Sequence, residues 1–264
     1  RILLWTREKN NNLINKNLPI GEYWMNHPWI LSGTGILNKN KIKKKLGNKF
    51  ISYDGPLHFA SREKLINEKK ILSSAIYMSP EEDTKFYKEI IKDILCVAPE
   101  YGKKISKSLF NKDLKCGNIF MNLEEPPNKN NKIVLDPNEK DKFDIPRANL
   151  FYKKSKESLL TAKIFLEQFA DLCRKEDLGR IAMNEDIYNL NGFKNMGGYH
   201  HLGGTRIGED KLNSVVNSNL QVHEINNLFV SGSSIFPTGG YTNPTYTIVQ
   251  FSFRLANNIV LKLS

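Results

Sequence analysis

Two histidines, His200 and His201, stand side by side just before a Gly203-Gly204-Thr205 turn. An imidazole titrates near neutrality, so one of them could take a hydroxyl proton as hydride leaves the adjacent carbon. Successive residues on an extended segment point to opposite faces, so only one of the pair can face a given substrate. Further on, Asn243-Pro244-Thr245 opens a long apolar run containing Ile248, Val249, Phe251, Phe253, Leu255, Ile259 and Val260. Proline suits the first helical position, where its missing N–H is no loss, and Asn243 sits where a capping side chain would. A helix apolar on most sides is expected to be buried, which brings the unpaired N–H groups and partial positive charge of its first turn under cover or against a ligand. Thr245 and Tyr246 should then meet something acceptor-rich. The edge of a reduced flavin, a phosphate and the Asn243 side chain itself all satisfy that demand. Between these pieces, the alternating run Leu220-Gln221-Val222-His223 and Asn227 to Val230 predict a strand feeding the Gly232-Ser233-Ser234 loop. His223 reads there as a surface or packing residue. Imidazole, carboxamide, pliable backbone and helix N-terminus within one stretch suit redox chemistry beside a flat cofactor.

Elements capable of positioning these groups are affordable in 264 residues, of which 40% are hydrophobic and 25% charged. That is enough chain for a large core in one or two domains. The net charge of +11 comes from lysines spread along the sequence. Only Lys41 to Lys45 is dense, and no aromatic residues are interleaved there, so no nucleic-acid partner is expected. Cys96, Cys116 and Cys173 are far apart and odd in number, which indicates neither a disulfide framework nor a metal site. No apolar run reaches membrane-spanning length and no secretory segment is visible, so a cytoplasmic location is expected ahead of export. The chain opens on Arg1 and runs at once into Ile2-Leu3-Leu4-Trp5, as though an element had been cut from something larger.

Ile20 to Pro28 forms an aromatic corner, in which His27 reads as a hydrogen-bonded packing residue among Tyr23, Trp24 and Trp29 rather than a ligand. Phe50 to Tyr53 and Leu57 to Phe59 predict strands about an Asp54-Gly55-Pro56 turn. Further strands are expected at Cys116 to Leu123, Lys132 to Leu135 and Pro146 to Tyr152, the second of these bounded by Asp136-Pro137. Residues 81–96 predict an amphipathic helix. Residues 156–174 predict a second, with Leu159, Leu160, Ile164, Phe165, Phe169 and Leu172 turned inward. Antiparallel strands with helices laid against them make an α+β layer. From Gly192 onward glycine density rises, which puts a boundary near residues 185–197.

Taken together, the C-terminal pieces resemble the glucose-methanol-choline (GMC) family of flavin-dependent oxidoreductases. That family carries H-x-x-G-T-x-R-M-G, a V-V-(D/N)-x-x-L-x-V-H segment, an N-L-(Y/F)-V strand, F-P-T, and N-P-T-x-T before a helix. Here these stand as His200 to Gly208, Val215 to His223, Asn227 to Val230, Phe236 to Thr238 and Asn243 to Thr247, in the same order and spacing. Upstream, Arg1 to Leu4, Gly21 to Pro28 (G-R-x-x-M-x-H-P in the family) and Glu125 to Asp144 also match, whereas residues 33–115 match poorly. The resemblance implies an α+β fold: an antiparallel sheet with flanking helices as the substrate-binding domain (33–190), plus segments of an FAD-binding α/β domain at 1–32 and 191–264. It implies His200 as the catalytic base. Gly204 stands where the family has Thr, and Ile207 where it has Met; sliding the alignment by one makes His201 the alternative. It further implies that Asn243 hydrogen-bonds the substrate oxygen, and that Gly232, Ser233, Asn243, Pro244 and Thr245 lie against FAD. The substrate would be an alcohol, polyol or sugar. The dinucleotide fingerprint G-x-G-x-x-G is missing, since Gly33-Thr34-Gly35 is followed by no third glycine. The chain is therefore expected to be a C-terminal half whose partner is an N-terminal FAD-binding half. The alternative is a non-catalytic fragment or subunit that completes a flavoenzyme partner.

Overall fold

Ile119, Met121 and Leu123 recur at every second position and are wholly buried, as in a strand with one face in a core. A computed structural model describes residues 1–10, 12–37, 39–46, 57–78, 94, 98, 101, 104–105, 108, 117–191 and 196–263. In chain order its elements are α1 (Ile2–Lys9), β1 (Trp29–Leu37), α2 (Lys39–Leu46), β2 (Leu57–Ala60), α3 (Glu63–Lys69), β3 (Ser74–Met78) and β4 (Gly117–Leu123). They continue with β5 (Lys132–Lys140), β6 (Pro146–Phe151), α4 (Lys156–Lys175), β7 (Gly179–Met183), α5 (Glu185–Tyr188), β8 (Met196–Gly197) and α6 (Thr245–Leu263). The predicted helix over 81–96 and the strand at Phe50 to Tyr53 lie outside the described residues, save Ile94. Two compact units divide the chain: Arg1–His27, Glu124–Ser155 and Gly198–Ser264 make the first, Pro28–Leu123 and Lys156–Gly197 the second.

The second unit is a mixed α+β layer. Its antiparallel sheet runs β2-β3-β4-β1-β7, with the short β8 also paired to β1. Register places Met121 between Ile30 and Ile76, and Ile119 beside Met78, so one face of three strands presents aliphatic side chains. Helix α4 covers that face with Leu159, Ala162, Phe165, Leu166, Phe169 and Cys173. Leu160 and Leu172, expected to point inward, are 42% and 50% exposed. The 3.6-residue period puts 158–159, 161–162, 165–166, 169 and 173 on one stripe and leaves those two outside it. Lysines of the dense run sit on α2, where Lys41 pairs with Asp177 and Lys45 with Glu176.

The first unit is built mostly from loops around a small core of Leu4, Ile14, Leu18, Ile20, Val215, Val216, Leu220, Val222, Ile225 and Ile235. Its hairpin, β5 paired with β6, runs through Asp136-Pro137 instead of stopping there, at the cost of a register slip between Leu135 and Lys140. The strand expected over 220–230 is absent. That stretch makes isolated bridges, Val216 to Val222 and Gln221 to Phe229, linked by turns. Leu220 and Glu224 take left-handed backbone angles (φ 61° and 67°), which an extended strand cannot contain. The Asn217 side chain ties the first turn by accepting from the Asn219 and Gln221 N–H groups.

Helix α6 corrects a second expectation. It has no buried residue. Phe251 and Leu255 pack on the core of the unit, but Tyr246, Phe253, Val260 and Leu263 are 76%, 65%, 65% and 83% exposed. A helix apolar all round needs cover on every side, and the described residues of the first unit cover one. No helix among the described residues is long and apolar enough to cross a membrane.

The face of α4 decides stability in the second unit. Leu166→Ala should cost about 2–5 kcal/mol, since it opens a cavity in a fully buried position, whereas Leu172→Ala should stay within about 0.5 kcal/mol. Urea unfolding followed by circular dichroism compares the two.

Candidate active site

Residues 200–207 are held by main-chain hydrogen bonds from both sides. Met25 and Leu202 exchange N–H···O bonds of 2.8 and 3.0 Å, and Gly21 N–H donates to the Gly204 carbonyl at 2.7 Å. On the opposite flank, the N–H groups of Gly203, Thr205 and Ile207 donate to the carbonyls of Ser233, Ser234 and Ile235 at 3.2, 3.0 and 2.8 Å. The Thr205 and Ser234 hydroxyls add a bond of 2.7 Å. Gly203 has φ +78°, and a Cβ there would stand 2.0 Å from the Tyr23 carbonyl oxygen. Only glycine lets the two backbones pass so closely.

This clamp sends the two histidines to different partners. The Nδ1 atoms of His200 and His27 are 3.2 Å apart, with ring centroids at 5.4 Å. His201 lies instead on the Trp24 ring, centroids 4.9 Å apart and planes at 45°. His27 is only 3% exposed. Burial pushes its pKa down, the Tyr241 backbone opposes that as an acceptor, and the His200 ring adds to the lowering. The sequence marks His27 as a packing residue. Its contact with His200 is what that reading misses, and the only signal for it is its position in the Gly21 to Pro28 stretch.

Behind Trp24 and His27 lies a carboxyl group to which the sequence reading gives no role. Glu125 is 2% exposed. Its Oε2 accepts from the Asn26 N–H at 2.6 Å and its Oε1 from the Tyr152 hydroxyl at 2.7 Å. The Tyr152 ring meets Trp24 edge-on at 5.0 Å. Burial lifts the Glu125 pKa, against the hydrogen bonds from Tyr152, Asn26 and the Ser155 backbone. The Tyr152 hydroxyl is also pushed up, by burial first and then by the Glu125 charge.

The loop before α6 reaches the same place. A Cβ on Gly239 would stand 3.1 Å from the Leu202 side chain, and the Tyr241 backbone meets the His27 ring. Asn243 follows two residues later, at most about 7 Å of chain. Its residue is exposed, Pro244 is buried, and the Ile248 N–H bonds the Pro244 carbonyl at 3.0 Å as α6 begins. No hydrogen bond joins Asn243 to His200. Ser233 starts a short 3-10 turn, Ser233–Ile235, after Gly232 (φ +110°), and a Cβ on Gly232 would meet nothing within 4 Å. A cleft of about 500 Å³ in the second unit, lined by Leu166, Asp171, Arg174, Arg180 and Tyr188 among others, contains none of these groups. Among the described residues no cluster of three or more His, Cys, Asp or Glu could hold a metal ion.

The mixed α+β fold is similar to the C-terminal half of solved oxidoreductase structures. Residues 127–252 match the family described as GMC oxidoreductase, in its C-terminal domain, and the chain is similar to that family's C-terminal half. It is 28% identical over 159 residues to the fructose dehydrogenase large subunit of Gluconobacter japonicus, a match covering 60% of this chain and 28% of that protein. It is 32% identical over 171 residues to 2-methyl-1,2-propanediol dehydrogenase of Mycolicibacterium austroafricanum, covering 64% and 29%. A solved structure of Aspergillus oryzae formate oxidase superposes with a TM-score of 0.51 at 15% identity, over 98% of this chain and 50% of that one. The chain thus spans half or less of the proteins it matches.

GMC members bind FAD. Two features here suit the flat, partly anionic ring end of that group: the open space over the Gly232 backbone and the exposed first turn of α6, with its unpaired N–H groups. For the pyrophosphate end no G-x-G-x-x-G motif exists, and Gly33-Thr34-Gly35 lies inside β1.

The Glu125 network makes a prediction about pH. Because burial raises its pKa, the fold favours the protonated carboxyl. That contribution is complete below the ordinary carboxyl range and is lost as pH climbs through the raised value. Glu125→Gln is neutral at every pH and keeps an acceptor for Asn26. Its stability relative to the parent chain should therefore rise from about pH 4 toward neutrality, as urea midpoints at several pH values will register. Tyr152→Phe should cost about 2 kcal/mol at neutral pH by removing a donor from the buried carboxylate.

Proposed function

We propose that this chain is the catalytic C-terminal half of an FAD-dependent oxidoreductase acting on the CH–OH group of a sugar or polyol. The observation that supports the reading is the meeting of two remote stretches, Gly21–His27 and His200–Ile207, at one imidazole pair, with Gly239 of the loop before α6 close to Leu202. His200 is the base that takes the hydroxyl proton. Asn243 donates its amide N–H to the substrate oxygen and so orients the carbon from which hydride departs. FAD, when bound, supplies the hydride acceptor. Gly232, Ser233, Asn243, Pro244 and Thr245 would hold its ring end, and the first-turn N–H groups of α6 favour the negative charge gained on reduction. The sugar or polyol substrate class is supported by the relatives, one named for fructose and one for a methylpropanediol.

An N-terminal FAD-binding half is the partner this reading requires. It would supply the missing pyrophosphate grip and lie over the exposed apolar side of α6.

Purified alone, the chain should retain no stoichiometric flavin. Assembled with a dinucleotide-binding half, it should retain FAD and show bleaching of the flavin absorbance on addition of a sugar or diol. In that assembly His200→Ala should lower kcat/KM by about 10²–10⁴-fold, and Asn243→Ala by about 10²-fold. Full turnover in His200→Ala with loss in His201→Ala would move the base to the neighbouring histidine; full turnover in both would end the proposal.

A further inference from the structure

The Nδ1···Nδ1 contact of 3.2 Å between His27 and His200 can hold only one proton. Two N–H groups facing each other would clash, and two bare nitrogens would repel, so one ring donates and the other accepts. We infer that His27 is a positioning residue: its Nδ1 accepts from the Nδ1–H of His200, which fixes His200 in the tautomer with an unprotonated Nε2. This inference rests on the assignment of His200 as base and says what makes that base competent. In the opposite arrangement His200 carries its proton on Nε2, toward any substrate, and can accept nothing there.

Three features point the donor–acceptor direction. First, His27 is nearly sealed from water, which favours its neutral, singly protonated ring. Second, the Tyr241 backbone lies on the side of that ring away from His200 and favours an N–H there. With Nδ1 turned to His200, the proton of His27 belongs on Nε2, which is enclosed and has no aligned hydrogen-bond partner of its own. Third, the His27 ring is on a stretch that cannot easily swing away. The His27 main-chain N–H donates to the Asn26 side-chain oxygen at 2.9 Å, the Asn26 main-chain N–H donates to the buried Glu125 carboxyl, and Met25 and Leu202 exchange main-chain hydrogen bonds. When His200 gains a proton at Nε2, the Nδ1–H bond to His27 stays in place and becomes charge-assisted. A base oriented by a third group in this way is a recurrent device.

The ring-nitrogen shifts of the ¹⁵N-labelled 264-residue chain at neutral pH report each tautomer without any need for flavin. The expected result is a protonated Nδ1 and a bare Nε2 on His200. His27→Leu removes the acceptor and should shift His200 to a mixture dominated by Nε2–H. His27→Asn places a carboxamide oxygen near the vacated Nδ1 and should restore the parent pattern. A parent His200 already protonated on Nε2, or a His27→Leu spectrum that keeps the Nδ1–H signal, overturns the inference. Should His27→Leu fail to fold, the parent tautomer and the His27→Asn spectrum still decide it. Activity surviving in His200→Ala would defeat the proposed function while leaving this measurement as it stands.

Discussion

The main-chain contact between Gly203 and Tyr23 sets the geometry of the first unit. Two backbones cross with no room for a single methyl group, and the hydrogen bonds on both flanks of residues 200–207 follow from that closeness. Because the clamp uses peptide groups, the side chains it carries are not consumed in holding it together. The extended backbone then does the sorting. His200 goes to one face and His201 to the other, with an imidazole waiting for the first and an indole for the second.

A different economy operates one layer back. Burying Glu125 disfavours its charge, and two hydrogen bonds of 2.6 and 2.7 Å offset part of that cost. What the arrangement secures is the orientation of Asn26, hence of the His27 main chain, and of the Tyr152 edge that braces Trp24. The second unit has little of this character around its sheet. Its order comes from aliphatic side chains alternating along β1, β3 and β4 beneath the stripe of α4, a packing problem with no proton to place.

Legibility in the sequence follows the range of the interaction. Helix α4 and strands β4 and β6 are readable because their periodicity is local and strong. The order of the motif pieces from His200 to Thr247 is readable for the same reason. The stretch 215–230 misleads because Val215, Val216, Leu220, Val222 and Ile225 are all buried, yet turns rather than a ladder connect them. Helix α6 misleads in the opposite sense: its composition demands burial that the described residues of its own unit do not provide. His27 meets His200 from 173 residues away, and Glu125 meets Asn26 from 99. No window of sequence contains both members of either pair, so a histidine beside a proline and a glutamate before two prolines look ordinary.

Neither unit is a continuous length of chain, and for the first this has a consequence during synthesis. The strip Gly21–His27 is made early, but the residues that clamp it, Gly198 onward, emerge from the ribosome only after the whole second unit has been translated. At about 5–20 residues per second this stretch waits roughly ten to thirty seconds for its partners. During that interval Ile14, Leu18 and Ile20 stand without Val215, Val216, Leu220, Val222 and Ile225, the side chains that complete their core.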